Sequence, residues 1–139
     1  MNFEIYKLEK NDYYCGYLDV LKQLTVVGDV NYVDFCEQFD KITSNVYVIK
    51  HDDKVIGTGS IYFEYKFTHD LGCIGHIEDI VIDSKYRKNG LGKMIIDKLV
   101  KMGKDNNCYK VILDCKDNNV LFYDKLGFKK NEIQMAIYF

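Results

Sequence analysis

The stretch that decides the fold runs from Gly75 to Lys93 and has the sequence GHIEDIVIDSKYRKNGLGK. Its first half, Gly75–Ile82, is an apolar run that predicts a buried, central strand. Two adjacent carboxylates, Glu78 and Asp79, interrupt this run. Its second half is a basic turn with two glycines, and the turn leads into an amphipathic helix pattern that begins at Leu91. A strand, a glycine turn and a helix N-terminus in this order commonly bind an anionic, phosphate-bearing group.

The glycine turn has the sequence RKNGLGK from Arg87 to Lys93. Its backbone N–H groups, small residues and flanking cations suit a diphosphate. A P-loop would need glycine at Arg87 and serine or threonine at Met94. A dinucleotide-binding fingerprint would need a third small residue at Ile95. These two motifs are therefore excluded, and the alternative to an anion site is a surface turn with solvated lysines.

The adjacent carboxylates are unusual inside an apolar strand. Neighbouring side chains of a regular strand face opposite sides, so we expect Glu78 or Asp79 to point into the core unless a bulge redirects the pair or a polar pocket receives one of them. A buried carboxylate without a partner is costly. An edge strand with both side chains in water is the alternative.

Other polar groups could share this pocket. Asp114 ends a predicted strand that we expect to lie beside Gly75–Ile82; its alternative role is a carboxylate at a helix N-terminus. Tyr123 has a neutral hydroxyl at pH 7 and could act as a general acid, although it is one of twelve tyrosines and could simply pack. His69 and His76 lack metal-ligand spacing, and hydrogen-bonded structural roles are expected for both.

Patterning along the rest of the chain predicts a mixed α/β domain with one sheet flanked by helices. The segment Lys66–Gly72 is predicted to be a loop, and His51–Lys54 a turn. The predicted elements are, in order, a strand Phe3–Leu8, a helix from Asn11 or Asp12 to Gly28, a helix Val30–Phe39, a hairpin of Val46–Lys50 and Val55–Tyr65, the strand Gly75–Ile82, a helix Leu91–Met102, a strand Tyr109–Cys115, a helix from Asn118 or Asn119 to Leu126, and a last strand Met135–Phe139.

Length and composition limit the possible functions. The 139 residues show no linker, so we expect a single domain over residues 1–139. A net charge of −2 does not favour nucleic acid or an anionic membrane as partner. No apolar run approaches the roughly 18 residues of a membrane span, and the N-terminus lacks the apolar region of a signal peptide. Five cysteines without CxxC spacing predict no zinc or redox motif, and reduced, buried thiols of a cytoplasmic protein are expected.

Several segments carry a resemblance to known proteins. Arg87-x-x-Gly90-x-Gly92 after a strand resembles the coenzyme A pyrophosphate motif of the GCN5-related N-acetyltransferase (GNAT) superfamily. A narrower resemblance, to the eukaryotic glucosamine 6-phosphate N-acetyltransferase family, rests on segments that occur in this order: LKQLTVVG (21–28), GHIEDIV (75–81), YRKNGLG (86–92), CYKVILDC (108–115), FYDK (122–125) and QM (134–135).

The resemblance implies a GNAT fold, whose mixed sheet is splayed at the Glu78–Ile82 strand. It also implies acetyl transfer from acetyl-CoA to the 2-amino group of D-glucosamine 6-phosphate, without a metal, on the path to UDP-N-acetylglucosamine. An intertwined homodimer is expected, with the last strand and parts of the sugar site shared between subunits. Two rival functions stay open: a GNAT enzyme for another small amine or a protein N-terminus, and a non-catalytic coenzyme A-binding module.

The resemblance also assigns roles to residues. Those implied for acetyl-CoA are Ile80, Val81 and Ile82 at the pantetheine arm, Lys88, Asn89, Gly90, Leu91, Gly92 and Lys93 at the pyrophosphate, and Tyr123, Asp124 and Lys125 near the sulfur. Those implied for the sugar phosphate are Glu78, Asp79, Ile80 and Asp114, with Thr25, Lys66, Phe67, Thr68 and His69, and with Tyr109 and Lys110 of the other chain.

Direct attack of the amine in a ternary complex is the expected mechanism, with Glu78, Asp79, Asp114 and Tyr123 as the catalytic group. Tyr138 stands where the family can carry a basic phosphate ligand. A tyrosine donates a hydrogen bond but brings no charge. The phosphate contacts are therefore expected from Lys66, His69 and Lys110.

Overall fold

The computed structural model of the chain describes residues 1–139. Its strands form a single five-stranded sheet in the order β1-β2-β3-β4-β5. Strands β1 to β4 pair antiparallel with their neighbours, whereas β4 and β5 run parallel. The predicted mixed sheet is thus confirmed. The strands are β1 (Glu4–Lys7), β2 (Asn45–His51), β3 (Lys54–Tyr65), β4 (Cys73–Ile82) and β5 (Lys110–Ile112).

Helices cover parts of both faces of the sheet. The helices are α1 (Tyr17–Leu21), α2 (Tyr32–Lys41), α3 (Thr68–Leu71), α4 (Leu91–Asp105) and α5 (Val120–Lys125), and short 3₁₀ turns span Lys10–Cys15, Ser84–Tyr86 and Asp117–Asn119. No helix has the length and apolar character needed to cross a membrane.

The sheet separates two apolar clusters. On one face, the fully buried Ile95, Ile96 and Leu99 of α4 pack against β2, β3 and β4. On the opposite face, Tyr17 and Val20 of α1 and Phe35 of α2 cover Val48, Val55 and Val81. Each fully buried aliphatic side chain contributes about 1.5–3 kcal/mol to folding. The two clusters therefore fix the position of β4, which carries the carboxylate pair.

The first predicted helix is wrong in its bounds. Instead of one helix ending at Gly28, a 3₁₀ turn and α1 are separated by Gly16, whose φ of +88° is left-handed. The start is also shifted: Glu9 is the N-cap, and its backbone N–H donates to the Asp12 carboxylate at 2.8 Å. A left-handed residue cannot continue a right-handed helix, which is why the apolar periodicity spans a break.

The predicted last strand Met135–Phe139 has no partner in the chain. Residues 129–139 are exposed throughout and belong to no strand pair. Their apolar side chains alternate: Ile133, Met135, Ile137 and Phe139 are each at least 83% exposed. Because this segment pairs with no strand of the same chain, the strand that its alternating pattern predicts does not form there.

Candidate active site

A gap opens between the two parallel strands of the sheet. Strand β5 pairs with β4 only along Ile74–His76. Beyond that point β4 continues to Ile82 and stays paired with β3 on its other side. The edge of β4 that faces β5 is therefore unpaired in its second half. This gap is the splay that the resemblance predicted for the Glu78–Ile82 strand.

A β-bulge lies at the same place on β4. Asp79 has a φ of +53°, and the β3–β4 register shifts so that Ser60 pairs with Glu78 and Thr58 with Val81. Two residues of β4 thus oppose the single Gly59 of β3. The predicted bulge is confirmed.

The bulge decides which side chain enters the core. Ile80 packs against the apolar cluster of α4, and a Cβ on Gly59 would come within 2.4 Å of Ile80 Cδ1. Glu78 and Asp79 both remain exposed in the single chain. Of the two outcomes that the sequence left open, the bulge is therefore the one found: the extra residue keeps both carboxylates out of the core.

Three carboxylates meet at the gap. Partial burial, followed by the negative charges of Asp79 and Asp114, raises the pKa of Glu78. Asp114 follows β5, and its charge acts on Glu78 across the gap, which fits the shared pocket that the sequence left open as one of two roles for Asp114. Gln134 was missed by the sequence analysis: its Nε2 donates to Asp114 Oδ2 at 2.7 Å. An amide in an exposed tail gives no sequence signal for such a contact.

Tyr123 lies half-buried on α5. Its ring packs edge-on against Phe122 and Phe128, with centroid distances of 5.0 and 5.8 Å. Burial and the nearby Cys115 raise the pKa of the Tyr123 hydroxyl. The hydroxyl is therefore a proton donor throughout the neutral range. The next two residues, Asp124 and Lys125, are exposed, and Asp124 forms an ion pair with Lys129 at 2.8 Å.

The glycine turn leaves the first turn of α4 open to an anion. Gly90 is the N-cap in a left-handed conformation, with φ +73°, and no side chain caps the helix. The N–H groups of Leu91, Gly92 and Lys93 donate to no group of the chain. Lys88 is also left-handed, and Asn89 Nδ2 braces the turn by donating to the Tyr86 carbonyl at 2.8 Å. Free N–H groups, the helix dipole and exposed cations together fit a diphosphate.

Basic and aromatic side chains gather near the start of β4. The loop Lys66–Gly72, predicted without regular structure, contains the single turn α3, in which His69, Asp70 and Leu71 have positive φ. The His69 ring stacks on Tyr109 at 4.0 Å, and Lys110 Nζ lies 5.9 Å from the Tyr109 ring. Lys66 Nζ lies 3.8 Å from Glu64 Oε2.

His76 has the structural partners that were expected: Glu64 at 3.0 Å and the stacked ring of Tyr62.

Other predicted residues stand apart from these groups. Phe67 and Thr68 are exposed in the α3 loop, and Tyr138 is 93% exposed in the tail. Thr25 is exposed after α1, in a segment that Gln23 ties to the end of β4 by accepting from the Ser84 N–H at 2.9 Å. No hydrogen bond joins Thr25 or Tyr138 to the three carboxylates in the single chain.

Comparisons with known proteins identify the family of this chain. Residues 3–128 match the model of the acetyltransferase (GNAT) family. The chain belongs to the GNAT acetyltransferase family.

This GNAT chain is 42% identical to the glucosamine 6-phosphate N-acetyltransferase of Arabidopsis thaliana, over 99% of the chain and 97% of that protein. It is 39% identical to the Candida albicans enzyme of the same name, over 96% of the chain and 93% of that protein. The crystal structure of the Arabidopsis thaliana enzyme superposes with a TM-score of 0.97 at 40% identity, covering 100% of this chain and 99% of that one. The fold and the family resemblance predicted from the sequence are confirmed.

Proposed function

We propose that this GNAT enzyme transfers the acetyl group of acetyl-CoA to the 2-amino group of D-glucosamine 6-phosphate. The products are N-acetyl-D-glucosamine 6-phosphate and coenzyme A, on the path to UDP-N-acetylglucosamine in the cytoplasm. One observation carries the proposal: the bulged second half of β4 joins a cluster of three carboxylates to an uncapped glycine turn. Acceptor and donor would meet between them, at Ile80–Ile82.

The donor side would use backbone groups. The unpaired edge of Ile80, Val81 and Ile82 offers N–H and C=O groups to the amides of a pantetheine arm, as an added strand would receive them. Lys88 to Lys93 would bind the diphosphate through the free N–H groups of the first α4 turn. Acetyl-CoA supplies the activated acetyl thioester. Tyr123, Asp124 and Lys125 would lie along the sulfur end.

The acceptor side would use the carboxylates. Glu78 and Asp79 would accept hydrogen bonds from sugar hydroxyls and from the ammonium group. An amine must be neutral to attack a thioester, so a group near Asp114, a carboxylate or a backbone carbonyl, would orient the amine and accept its proton. Direct attack in a ternary complex then needs no covalent enzyme intermediate.

Two donors would stabilise the developing charges. A backbone N–H at the Asp79–Ile80 bulge would donate to the thioester oxygen, in the manner of an oxyanion hole. Tyr123 would donate its proton or a hydrogen bond to the leaving thiolate. Its raised pKa keeps the hydroxyl protonated for that task.

A homodimer would complete the site. The alternating apolar side chains of the tail are exposed, and a second copy of the chain would bury them: Ile133, Met135, Ile137 and Phe139. Tyr138 would then enter the partner's site as a hydrogen-bond donor to the phosphate. His69 contacts Tyr109 within one chain. If the two residues serve different sites, those sites must lie close to the two-fold axis.

The basic side chains Lys66, His69 and Lys110 favour a phosphorylated acceptor over the rival amines. A site for a polyamine or a protein N-terminus would need the acidic pocket alone. Lys66, His69 and Lys110 have no role with such cations, whereas a phosphate pairs with them. A non-catalytic coenzyme A module, in turn, would have no use for three clustered carboxylates.

Thiol release from acetyl-CoA tests the proposal. The purified chain is assayed with glucosamine 6-phosphate, glucosamine and spermidine. Release with the phosphorylated sugar only is the expected result. Release with spermidine only would favour another acceptor, and no release with any amine would favour a binding module.

A further inference from the structure

Two of the five free cysteines lie in contact at the edge of the sheet. Cys73 Sγ and Cys108 Sγ are 3.5 Å apart. Cys73 begins β4, and Cys108 lies between α4 and β5. The Tyr109 N–H donates to the Cys73 carbonyl at 3.0 Å, and the Cys108 N–H donates to the Gly103 carbonyl at 3.0 Å. Backbone bonds therefore hold both thiols face to face.

The local geometry suits a disulfide. An S–S bond is about 2.05 Å long, so the two sulfurs would need to approach by about 1.5 Å from their present distance. The β4–β5 register pairs Ile74 with Lys110, so Cys108 lies one residue before the position opposite Cys73 on the adjacent backbone. The proposed bond therefore joins two neighbouring backbones whose sulfurs are already in contact.

We propose that Cys73 and Cys108 form a reversible oxidation site, at which a small-molecule disulfide produces an intramolecular bond that weakens sugar-phosphate binding. Cys108 is half-exposed and Cys73 is buried, so Cys108 meets the oxidant first. Its thiolate attacks one sulfur of the oxidant, which forms a mixed disulfide and releases one thiolate. The Cys73 thiolate then attacks Cys108 Sγ and releases the second.

The step balances in electrons and protons. Two protein thiols lose two electrons and two protons and become one disulfide. The small-molecule disulfide gains both electrons, and its two thiolates take up the two protons.

The environment of Cys108 sets the rate of this chemistry. Burial, and secondly the hydrogen bond to Cys73, raises the pKa of the Cys108 thiol to about 11. The hydrogen bond from the Asn106 amide lowers the pKa of the Cys108 thiol, against these two effects. Because only the thiolate attacks, oxidation is slow at neutral pH and accelerates about tenfold per pH unit up to that pKa.

Closure of the bond would disturb the residues proposed to bind the phosphate. Cys108 is followed directly by Tyr109 and Lys110, and Cys73 directly follows Gly72. A Cβ on Gly72 would come within 2.8 Å of Tyr109 Cδ1, so the Tyr109 ring is held against the chain that leads into Cys73. Moving Cys108 towards Cys73 would displace the adjacent Tyr109, whose ring stacks on His69 at 4.0 Å. This effect on binding rests on the proposed function; the disulfide itself does not.

Peptide mapping after treatment with oxidised glutathione tests the oxidation site. Trypsin places Cys73 in the peptide of residues 67–85 and Cys108 in that of residues 105–110. These two peptides should become linked, faster at about pH 9 than at about pH 7, and separate again with dithiothreitol. The Cys108→Ser variant should lack the link, whereas Cys36→Ser, on α2, should keep it. Glutathione retained on Cys108 without the link, or a link to another cysteine, would overturn the site.

Kinetics on the same samples test the coupling. In the linked enzyme, the KM for glucosamine 6-phosphate should rise roughly three- to tenfold, the effect of losing one hydrogen bond, while the KM for acetyl-CoA stays unchanged. An unchanged KM for the sugar phosphate in fully linked enzyme would overturn the coupling. If the reduced enzyme fails to acetylate this sugar, the proposed function falls, while the peptide map still decides whether the disulfide forms.

Discussion

Gly92 lies directly against the ring of Phe122, because a Cβ built on residue 92 would come within 2.9 Å of Phe122 Cζ. Gly92 is the second residue of α4, and Phe122 precedes Tyr123 on α5. The missing side chain thus lets α5 dock on the first turn of α4. The sequence suggested that this glycine gives a ligand close access; in the structure its close neighbour is an aromatic ring that positions Tyr123.

Replacing Gly92 by alanine should therefore damage catalysis through Tyr123. The new methyl group would push Phe122 away and move α5, so we expect a roughly tenfold or greater loss of kcat and a raised KM for acetyl-CoA, in line with the sensitivity of catalysis to small displacements. Steady-state kinetics measure both constants.

Two further variants show whether the ring is the cause. Phe122→Leu in the Gly92→Ala background makes room for the methyl group and should restore part of the activity. In Gly90→Ala, the added methyl group has no neighbour within 4 Å. The substitution only strains a left-handed backbone position, which should lower the free energy of unfolding by about 1–2 kcal/mol. If the double variant is no better than Gly92→Ala, contact with Phe122 does not explain the loss.

Tyr123→Phe should lower kcat about 100-fold, the ordinary contribution of a general acid, and leave the KM for acetyl-CoA nearly unchanged. The ring would still pack between Phe122 and Phe128, so only the hydroxyl is lost. Tyr14→Phe, on an exposed side chain, is the matched control. Normal turnover in Tyr123→Phe would rule out this hydroxyl as the proton donor.

Glu78→Gln should separate stability from activity. The raised pKa of Glu78 means that the folded chain holds this proton more tightly than the unfolded chain. The folded state therefore loses stability as pH rises from 4.5, the ordinary value, through the raised one. Glutamine removes that loss, so the variant should be more stable at neutral pH, by less than about 1 kcal/mol for a partly exposed charge.

Thermal unfolding at several pH values checks this sign. The advantage of Glu78→Gln should disappear below pH 4.5, where the wild-type carboxyl is also neutral. The same variant should acetylate glucosamine 6-phosphate at least about tenfold less efficiently, since a charged hydrogen bond contributes about 1.5–3 kcal/mol. Glu37→Gln, on the exposed face of α2, should change neither property. A Glu78→Gln chain that is less stable at neutral pH would refute the electrostatic argument.

The exposed tail should be an oligomer interface. Aspartate at both Met135 and Ile137 places charges on the apolar edge, so a wild-type dimer should become a monomer and lose activity. Sedimentation velocity distinguishes the two species, with Glu132→Gln as the control in the same tail. A fully active wild-type monomer would show that the tail serves another purpose.

Periodicity and turn residues predicted the order of elements because they act locally. The hairpin of β2 and β3, helix α4 and the Gly127 stop after α5 follow from alternation, a 3.6-residue repeat and a left-handed glycine. The bulge was predicted for a physical reason: Glu78 and Asp79 lie in an apolar strand, where burying a carboxylate without a partner is costly.

What the sequence could not supply was the pairing between distant segments. Nothing local shows that β5 ends at Ile112 and leaves β4 unpaired beyond it. Contacts such as Phe122 on Gly92, Gln134 on Asp114 and Cys108 on Cys73 join residues far apart in the chain. The predicted last strand Met135–Phe139 is not formed in the single chain, where this segment pairs with no other strand.

The most direct test of the central claim is to identify the acetylated product. The purified chain is incubated with acetyl-CoA and glucosamine 6-phosphate, and the product is analysed by NMR while released thiol is counted. We predict an acetyl group on the C2 nitrogen of the sugar phosphate, with one coenzyme A released for each. An unmodified sugar phosphate, with acetyl transfer only to spermidine or to a peptide amine under the same conditions, would contradict the account.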